Sequence, residues 1–303
     1  MGRIVVVGSA NADLAVRVDR RPQGGETVAG SPLTVSAGGK GANQAAAAAR
    51  LGADVAFVGR VGVDAHGALL RDALAEPGVD TRWLGDSDAP TSVAFIVLTP
   101  DGENSIIVAA GANGDATPAY LREAEGAFAD AALVVAQLEI PLETVAALAE
   151  RCRAGGVRFL LNAAPAAALP PEVLAACDPL VVNETEAAFL LGLPDADLPG
   201  ADADDAALAE RLLALGPASV VITLGARGAL AATASGLRLA VPAHRVDVVD
   251  TTGAGDAFVG GLATVLGAGG DLESGLARGT AAAAVAVQAA GAMASYAGMS
   301  EVL

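Results

Sequence analysis

A chain of 303 residues, 53% of them hydrophobic, is long enough to bury one large core, and no apolar run reaches the roughly 18 residues that a membrane helix needs. A net charge of −17 without clusters of Lys and Arg argues against a surface for nucleic acid, although a local nest of backbone amides can still hold a small anion. Cys152 and Cys177 form no CxxC pair and belong to no disulfide framework or metal motif, so both are expected to be reduced thiols.

In chain order, residues 4–7 are an unbroken β-branched run stopped by Gly8, the pattern of a strand buried on both faces in a parallel sheet. The chain enters this strand without the features of a secretory leader, so a cytoplasmic location is expected. Residues 14–36, with Pro22, Gly24, Gly25 and Gly30, break the rhythm and read as short antiparallel strands. The helix that contains residues 44–51 closes at Gly52, and residues 55–58 are again an apolar strand. Within 91–108, residues 92–99 are expected to pair with 105–108 as a hairpin, supported by the turn chemistry of Pro100, Asp101 and Gly102. Residues 93–98 are apolar on both alternating faces. A small sheet built from these insertions would therefore expose an apolar face unless a ligand or a second subunit covered it.

Thr117 and Pro118 mark a helix start, N-cap followed by proline. Strand runs recur at 133–136, 159–161, 180–182 and 220–223, mostly separated by Ala-rich and Leu-rich stretches of helical length. This alternation predicts an α/β fold with helices on both faces of the sheet. The acidic stretch 195–205 reads as a solvated loop, residues 246–249 as a strand, and 257–266 and 272–290 as closely packed helices.

The sharpest chemical signal is Asp250-Thr251-Thr252-Gly253-Ala254-Gly255-Asp256, between that last strand run and the Ala-rich helix. Strand, glycine loop and helix form an anion-binding layout in which free amides of Gly253, Ala254 and Gly255 would face a phosphate. Asp256 then stands where a phosphate meets an incoming hydroxyl, either as a general base or simply as a helix cap. Gly38-Gly39-Lys40-Gly41-Ala42-Asn43-Gln44 is a second glycine-rich turn leading into a helix. It is no P-loop, because Gly41 follows the lysine, and residues 253–260 lack the third glycine of a dinucleotide fingerprint.

Together these two segments resemble the signature motifs of the ribokinase or PfkB carbohydrate-kinase family. Further resemblances follow in family order over nearly the whole chain: Gly8-Ser9-Ala10-Asn11-Ala12-Asp13, Gly24-Gly25-Glu26-Thr27, Gln137-Leu138-Glu139, Asn183-Glu184-Thr185-Glu186 and Thr223-Leu224-Gly225-Ala226-Arg227-Gly228. The resemblance implies a single three-layer α/β/α domain over 1–303, with a mainly parallel sheet and a small β lid inserted at about 14–36 and 91–108. It implies ATP-dependent phosphorylation of a sugar, D-ribose at its 5-hydroxyl being the leading choice, with Asp256 as base. Asn11, Asp13, Gly39, Lys40, Asn43 and Glu139 would line the sugar pocket. Asn183, Thr223, Gly225 and Gly228 would surround ATP, and Glu186 would stand in the outer shell of Mg²⁺. A K⁺ site would map to Asp250, to carbonyls of Thr252, Ala286, Ala289 and Gly291, and to Ser295. The apolar outer face of such a lid is expected to pair two subunits into a homodimer. Two departures concern the prolines missing from 291–299 and Thr280, which sits where a larger polar residue often flanks adenine.

His66 and His244 stand apart from any acid–base or ligand constellation, which removes most support for histidine hydrolysis or zinc catalysis. A dehydrogenase would leave Asp256 unexplained. The remaining alternatives are family kinases for 2-deoxyribose, fructose or a nucleoside, and a non-catalytic sugar-binding regulator that kept the fold.

Overall fold

The computed structural model describes residues 2–101, 104–193 and 205–301. The first half of the chain contains β1 (Arg3–Val7), β2 (Asn11–Arg17), β3 (Thr34–Gly38), α1 (Lys40–Arg50), β4 (Val55–Gly62), α2 (Ala65–Ala75), β5 (Leu84–Ser87), β6 (Ser92–Leu98), β7 (Asn104–Ala109), α3 (Pro118–Glu123) and β8 (Ala131–Ala136). There follow α4 (Leu142–Gly155), β9 (Arg158–Asn162), α5 (Pro171–Leu174), β10 (Leu180–Asn183), α6 (Glu184–Leu190), α7 (Asp205–Leu213) and β11 (Ser219–Thr223). The chain continues with β12 (Ala229–Thr233), β13 (Arg238–Val241), α8 (Ala254–Gly267) and α9 (Leu272–Ala286).

Among the described residues the main sheet has nine strands in the order β13-β12-β11-β10-β9-β8-β1-β4-β5. It is parallel except where β12 and β13 pair antiparallel at one edge. Successive side chains of a strand point to opposite faces, and here both faces are covered, so the apolar runs are continuous rather than alternating. Val5 and Val7 join a core with Val134, Phe159 and Ile222 under α4 and α7. Ile4 and Val6 join the opposite core with Phe57, Leu133, Phe258 and Leu276 under α1, α8 and α9. The expected three layers are present.

The lid is a separate sheet of order β3-β2-β6-β7. Its hairpin is as expected, with β6 and β7 antiparallel and Leu98 opposite Asn104. The turn residue Gly102 lies outside the described residues, as does most of the acidic stretch 195–205, of which Asp205 opens α7. The first lid strand begins at Asn11 rather than residue 14, and it pairs parallel with β6 although it runs antiparallel to β3. That earlier start places Asn11 and Asp13 in the sheet, two residues apart and therefore on one face. On the other face Val35, Leu14, Phe95 and Ile107 lie in one row across the four strands. Phe95, Ile107 and Val35 are exposed, so the apolar face expected from the sequence exists.

Two further expectations are corrected. Residues 246–249 are not a strand: the sheet ends at β13, Pro242 follows without an amide proton, and the amides of Val249 and Asp250 donate instead to the Val287 carbonyl at 2.8 and 3.2 Å. The last long helix ends at Ala286 rather than residue 290. Its terminus meets the incoming 249–250 segment, and Gly291 turns left-handed with φ of 82° to donate its amide to Asp250 Oδ2 at 2.9 Å. The other local signals match, since Thr117 accepts from the Tyr120 amide and Gly52 follows α1 with positive φ. Both cysteines are buried free thiols, and burial pushes their pKa values up, Cys152 to about 12. Among the described residues no helix is long and apolar enough to cross a membrane.

Candidate active site

The two glycine-rich segments meet because α1 packs on α8. Gly39 adopts φ of 90°, and a Cβ there would stand 2.8 Å from the Asn11 amide, so only glycine lets β2 and the start of α1 come together. The first amides of α1 do not face open space. Lys40 N donates to Glu139 Oε2 at 3.1 Å, Gly41 N to Ser9 Oγ at 3.3 Å, and Ala42 N to the Ser9 carbonyl at 2.9 Å. Ser9 Oγ in turn donates to Glu139 Oε2 at 2.5 Å. Glu139 thus caps α1, and the positive end of that helix is already satisfied by a carboxylate.

The start of α8 is built differently. Gly253 is left-handed at φ 76°, and its carbonyl accepts from Ala257 N at 2.8 Å and from the hydroxyl of buried Tyr296 at 2.9 Å. Ala254 N donates to the Thr251 carbonyl at 3.2 Å, so this amide is engaged, contrary to the expectation of three free ones. Those of Gly253 and Gly255 have no acceptor among the described residues and are left for an anion. In the first turn of the helix, Asp256 is buried with both carboxylate oxygens bonded. Oδ2 accepts from Asn43 Nδ2 and Oδ1 from Gln44 Nε2, each at 2.9 Å.

A cavity of about 130 Å³ opens here, lined by Asp256, Gly253, Gly255, Lys40, Asn183, Glu186 and Thr223. Several charges face one another around it. Burial pushes the pKa of Asp256 up, and Glu139 adds to this, against the pull of Lys40 and the two amide donors. Asp13 is raised to about 7, chiefly by burial and then by the charges of Glu139 and Asp256, which sets β2 of the lid beside the same cluster. Burial works against the Lys40 ammonium, but Asp256, Glu139 and Glu186 outweigh it and hold its pKa above the ordinary value. Asn11 is buried and its Oδ1 accepts from Asn113 Nδ2 at 2.7 Å, leaving its own amide hydrogens to donate. Asn43 Oδ1 is buried without a partner among the described residues, an acceptor that a bound hydroxyl would satisfy.

On the opposite side Asn183 and Glu186 form a capping box for α6, with Asn183 Oδ1 on the Glu186 amide and Glu186 Oε2 on the Asn183 amide, both at 2.8 Å. Burial raises the Glu186 pKa, as does Asp256, against the Asn183 amide and Lys40. Thr223 lines the cavity, whereas Gly225 and Gly228 lie in the turn beyond it, with φ of 55° and 101°. Asp250 is brought to Gly291 and Thr252: its Oδ1 accepts from Thr252 N at 2.9 Å and Thr252 Oγ1 at 2.7 Å. Ser295 is buried nearby in sequence to that turn, with Oγ on the Ala292 carbonyl at 2.7 Å, while Ala286 closes α9 and Ala289 is exposed. Thr280 is buried with its hydroxyl on the Ala277 carbonyl at 3.0 Å.

Sequence reasoning assigned no role to Ser9, Gln44, Gln137, Asn113 and Asn162. The first three sit inside quoted motifs, but Asn113 and Asn162 carry no local signal, being polar residues in otherwise ordinary loop and strand contexts.

A buried carboxylate at a glycine-opened helix start, beside free amides and a lysine, has the chemistry that phosphoryl transfer needs, and the chain belongs to the pfkB family of carbohydrate kinases, whose model matches residues 1–297. Among its relatives, ribokinase of Bacillus subtilis is 40% identical over 293 residues, spanning 96% of this chain and 95% of that one. Deoxyribokinase of Salmonella typhi is 36% identical over 297 residues, spanning 97% and 95%. The structure of Arabidopsis thaliana ribokinase complexed with ribose and ATP superposes with a TM-score of 0.90 at 34% identity, covering 99% of this chain and 98% of that one.

Proposed function

We propose that this protein transfers the γ-phosphoryl group of ATP to the 5-hydroxyl of D-ribose, acting as one domain over 1–303. The observation that carries the reading is the Asp256 carboxylate, buried and doubly hydrogen-bonded where Lys40 and the α8 amides meet. Asp256 takes the hydroxyl proton as the sugar oxygen bonds to phosphorus, the bond to the ADP oxygen breaks, and the Gly253 and Gly255 amides receive charge on the phosphoryl oxygens. Asn11, Asp13, Gly39, Lys40, Asn43 and Glu139 hold the sugar. Asn183 and Thr223 flank the phosphates, with the turn of Gly225 and Gly228 further along the nucleotide. The named ribokinases and the complex with ribose and ATP support this choice of substrates.

The donors present also fit the family's ions. Among the described residues only one carboxylate oxygen of Glu186 is engaged, so the other would hold a water of Mg²⁺, and the ion would neutralise phosphate charge. Asp250, the turn at 289–291 and Ser295 offer the hard oxygen donors that suit K⁺. The lid closes over the sugar and excludes water, and its exposed row of Val35, Phe95 and Ile107 pairs two copies of the chain.

The test is ADP release from Mg·ATP across D-ribose, 2-deoxy-D-ribose, D-fructose and adenosine, in KCl and in NaCl, with Asp256→Asn alongside. Ribose-dependent turnover, faster in KCl and lowered by about 10²–10⁴ in the variant with ligand binding retained, is the expected result. Equal rates in the two salts would remove the K⁺ site. Turnover with another acceptor reassigns the sugar, and none with any acceptor returns the protein to a sugar-binding regulator.

A further inference from the structure

A chain of buried side-chain amides runs from the middle of the main sheet to Asp256. Gln137, directly after β8, donates from Nε2 to Gln44 Oε1 at 2.6 Å. Gln44, one turn into α1, donates from Nε2 to Asp256 Oδ1 and to Asn162 Oδ1, both at 2.9 Å. Asn162, at the end of β9, donates from Nδ2 to the Val181 carbonyl at 3.3 Å. All three amides are less than a tenth exposed.

The direction of the chain is determined at its ends. An ionised carboxylate only accepts, and Asn162 spends its amide hydrogens on a carbonyl, so both partners of Gln44 require a donor. Gln44 therefore turns its oxygen to Gln137, which answers with its nitrogen. Gln137 Oε1 is left buried without a partner among the described residues, next to Gly8, where an added Cβ would stand 2.1 Å away. Flipping any member sets acceptor against acceptor, a large penalty in a dry site.

Taking Asp256 as the base, we propose that Gln44, oriented by Gln137, is a positioning residue that fixes the rotation of the Asp256 carboxylate and favours its ionised form over its protonated one. The need for such a group follows from the surroundings. Asp256 faces Glu139 behind β8, Asp13 of β2, Glu186 of α6 and the Tyr296 hydroxyl, with Lys40 as the cation among them. Burial and the carboxylates favour the neutral acid; Lys40, Asn43 and Gln44 oppose them. Gln44 donates to the base without carrying a charge that would compete for phosphate.

The experiment compares wild type, Gln44→Met and Gln137→Met by the pH profile of kcat and by ¹³C NMR of Asp-labelled protein, the Asp256 carboxyl being assigned by its loss in Asp256→Asn. Loss of one hydrogen bond to the carboxylate is expected to move the acid limb and the carboxyl midpoint up by about one pH unit in Gln44→Met. A smaller shift in the same direction is expected in Gln137→Met, with KM for both substrates unchanged. A folded Gln44→Met protein with both midpoints unmoved would reduce Gln44 to packing and overturn the proposal. Should Gln44→Met not fold, Gln137→Met, which does not touch Asp256, decides in the same way. If wild type phosphorylates no acceptor, the kinase reading fails while the NMR midpoint still decides the role of Gln44.

Discussion

Asp13 sets folding against binding within one side chain. Burial, then Glu139 and Asp256, raise its pKa from 3.8 to about 7. Between those values the native protein holds a proton that the unfolded chain has released. The stability this confers is complete below the unfolded pKa and is lost as pH rises toward the folded one, at up to roughly 1.4 kcal/mol per pH unit. Sugar binding runs the other way if the carboxylate accepts from a hydroxyl, since protonation removes an acceptor. Asp13→Asn is therefore expected to unfold at a higher temperature than wild type at pH 8, to lose this slope between pH 4 and 7, and to bind sugar more weakly. Differential scanning calorimetry and titration calorimetry read the two effects separately, and an unchanged melting temperature at pH 8 would show that the buried charge carries no penalty. Gly38 belongs to this residue as well, because a Cβ there would stand 2.1 Å from Asp13 Oδ2.

At the scale of elements, the proposed mechanism requires a close approach of α1 to α8. One helix carries Lys40, Asn43 and Gln44 and the other Asp256, and the bonds of 2.9 Å between them hold only while the axes stay close. Gly260 of α8 permits this, since a Cβ there would come within 2.6 Å of Ala47 Cβ and 2.9 Å of Ala48 N. Gly260→Val should cost about 1–3 kcal/mol in urea unfolding by overpacking. It should also lower kcat by about tenfold or more, because a small displacement of the base is amplified in the rate. Gly114→Ala serves as the control, having nothing within 4 Å of an added Cβ. If Gly260→Val unfolds and turns over like wild type, the two helices are not the rigid frame of the site.

For the whole molecule, a net charge of −17 disfavours association in general, so an apolar row in the lid needs a specific cover. Ile107 and Phe95 are opposite one another in β7 and β6, and Ile107 ends that row on the edge strand. Ile107→Glu is expected to convert dimer to monomer by light scattering while leaving the fold intact by circular dichroism, and to raise the sugar KM because an unpaired lid closes less readily. A monomeric wild type at micromolar concentration would dismiss the dimer.

Much of this was legible in the amino-acid order. The strands β1, β4 and β8 to β11 are buried on both faces, and their apolar runs announce this without reference to neighbours. The same local logic misread residues 246–249, which share that composition but find no strand to pair with beyond β13. It also missed β12, a short alanine-rich run that carries no β-branched signal, and the edge strand β13, whose exposed residues such as Arg238 break any apolar run. Asp256 and Lys40 could be identified because helix start, glycine turn and charge lie within a few residues. The bonds from Asn43 and Gln44 to Asp256 join positions 213 and 212 residues apart, and the amide chain adds segments near 137 and 162. Periodicity and turn chemistry are local properties, and the sequence by itself determined them. Which end of an amide faces which partner, and which carboxylate is forced to share a dry cavity, depends on groups brought together by packing, and only the tertiary structure decided that.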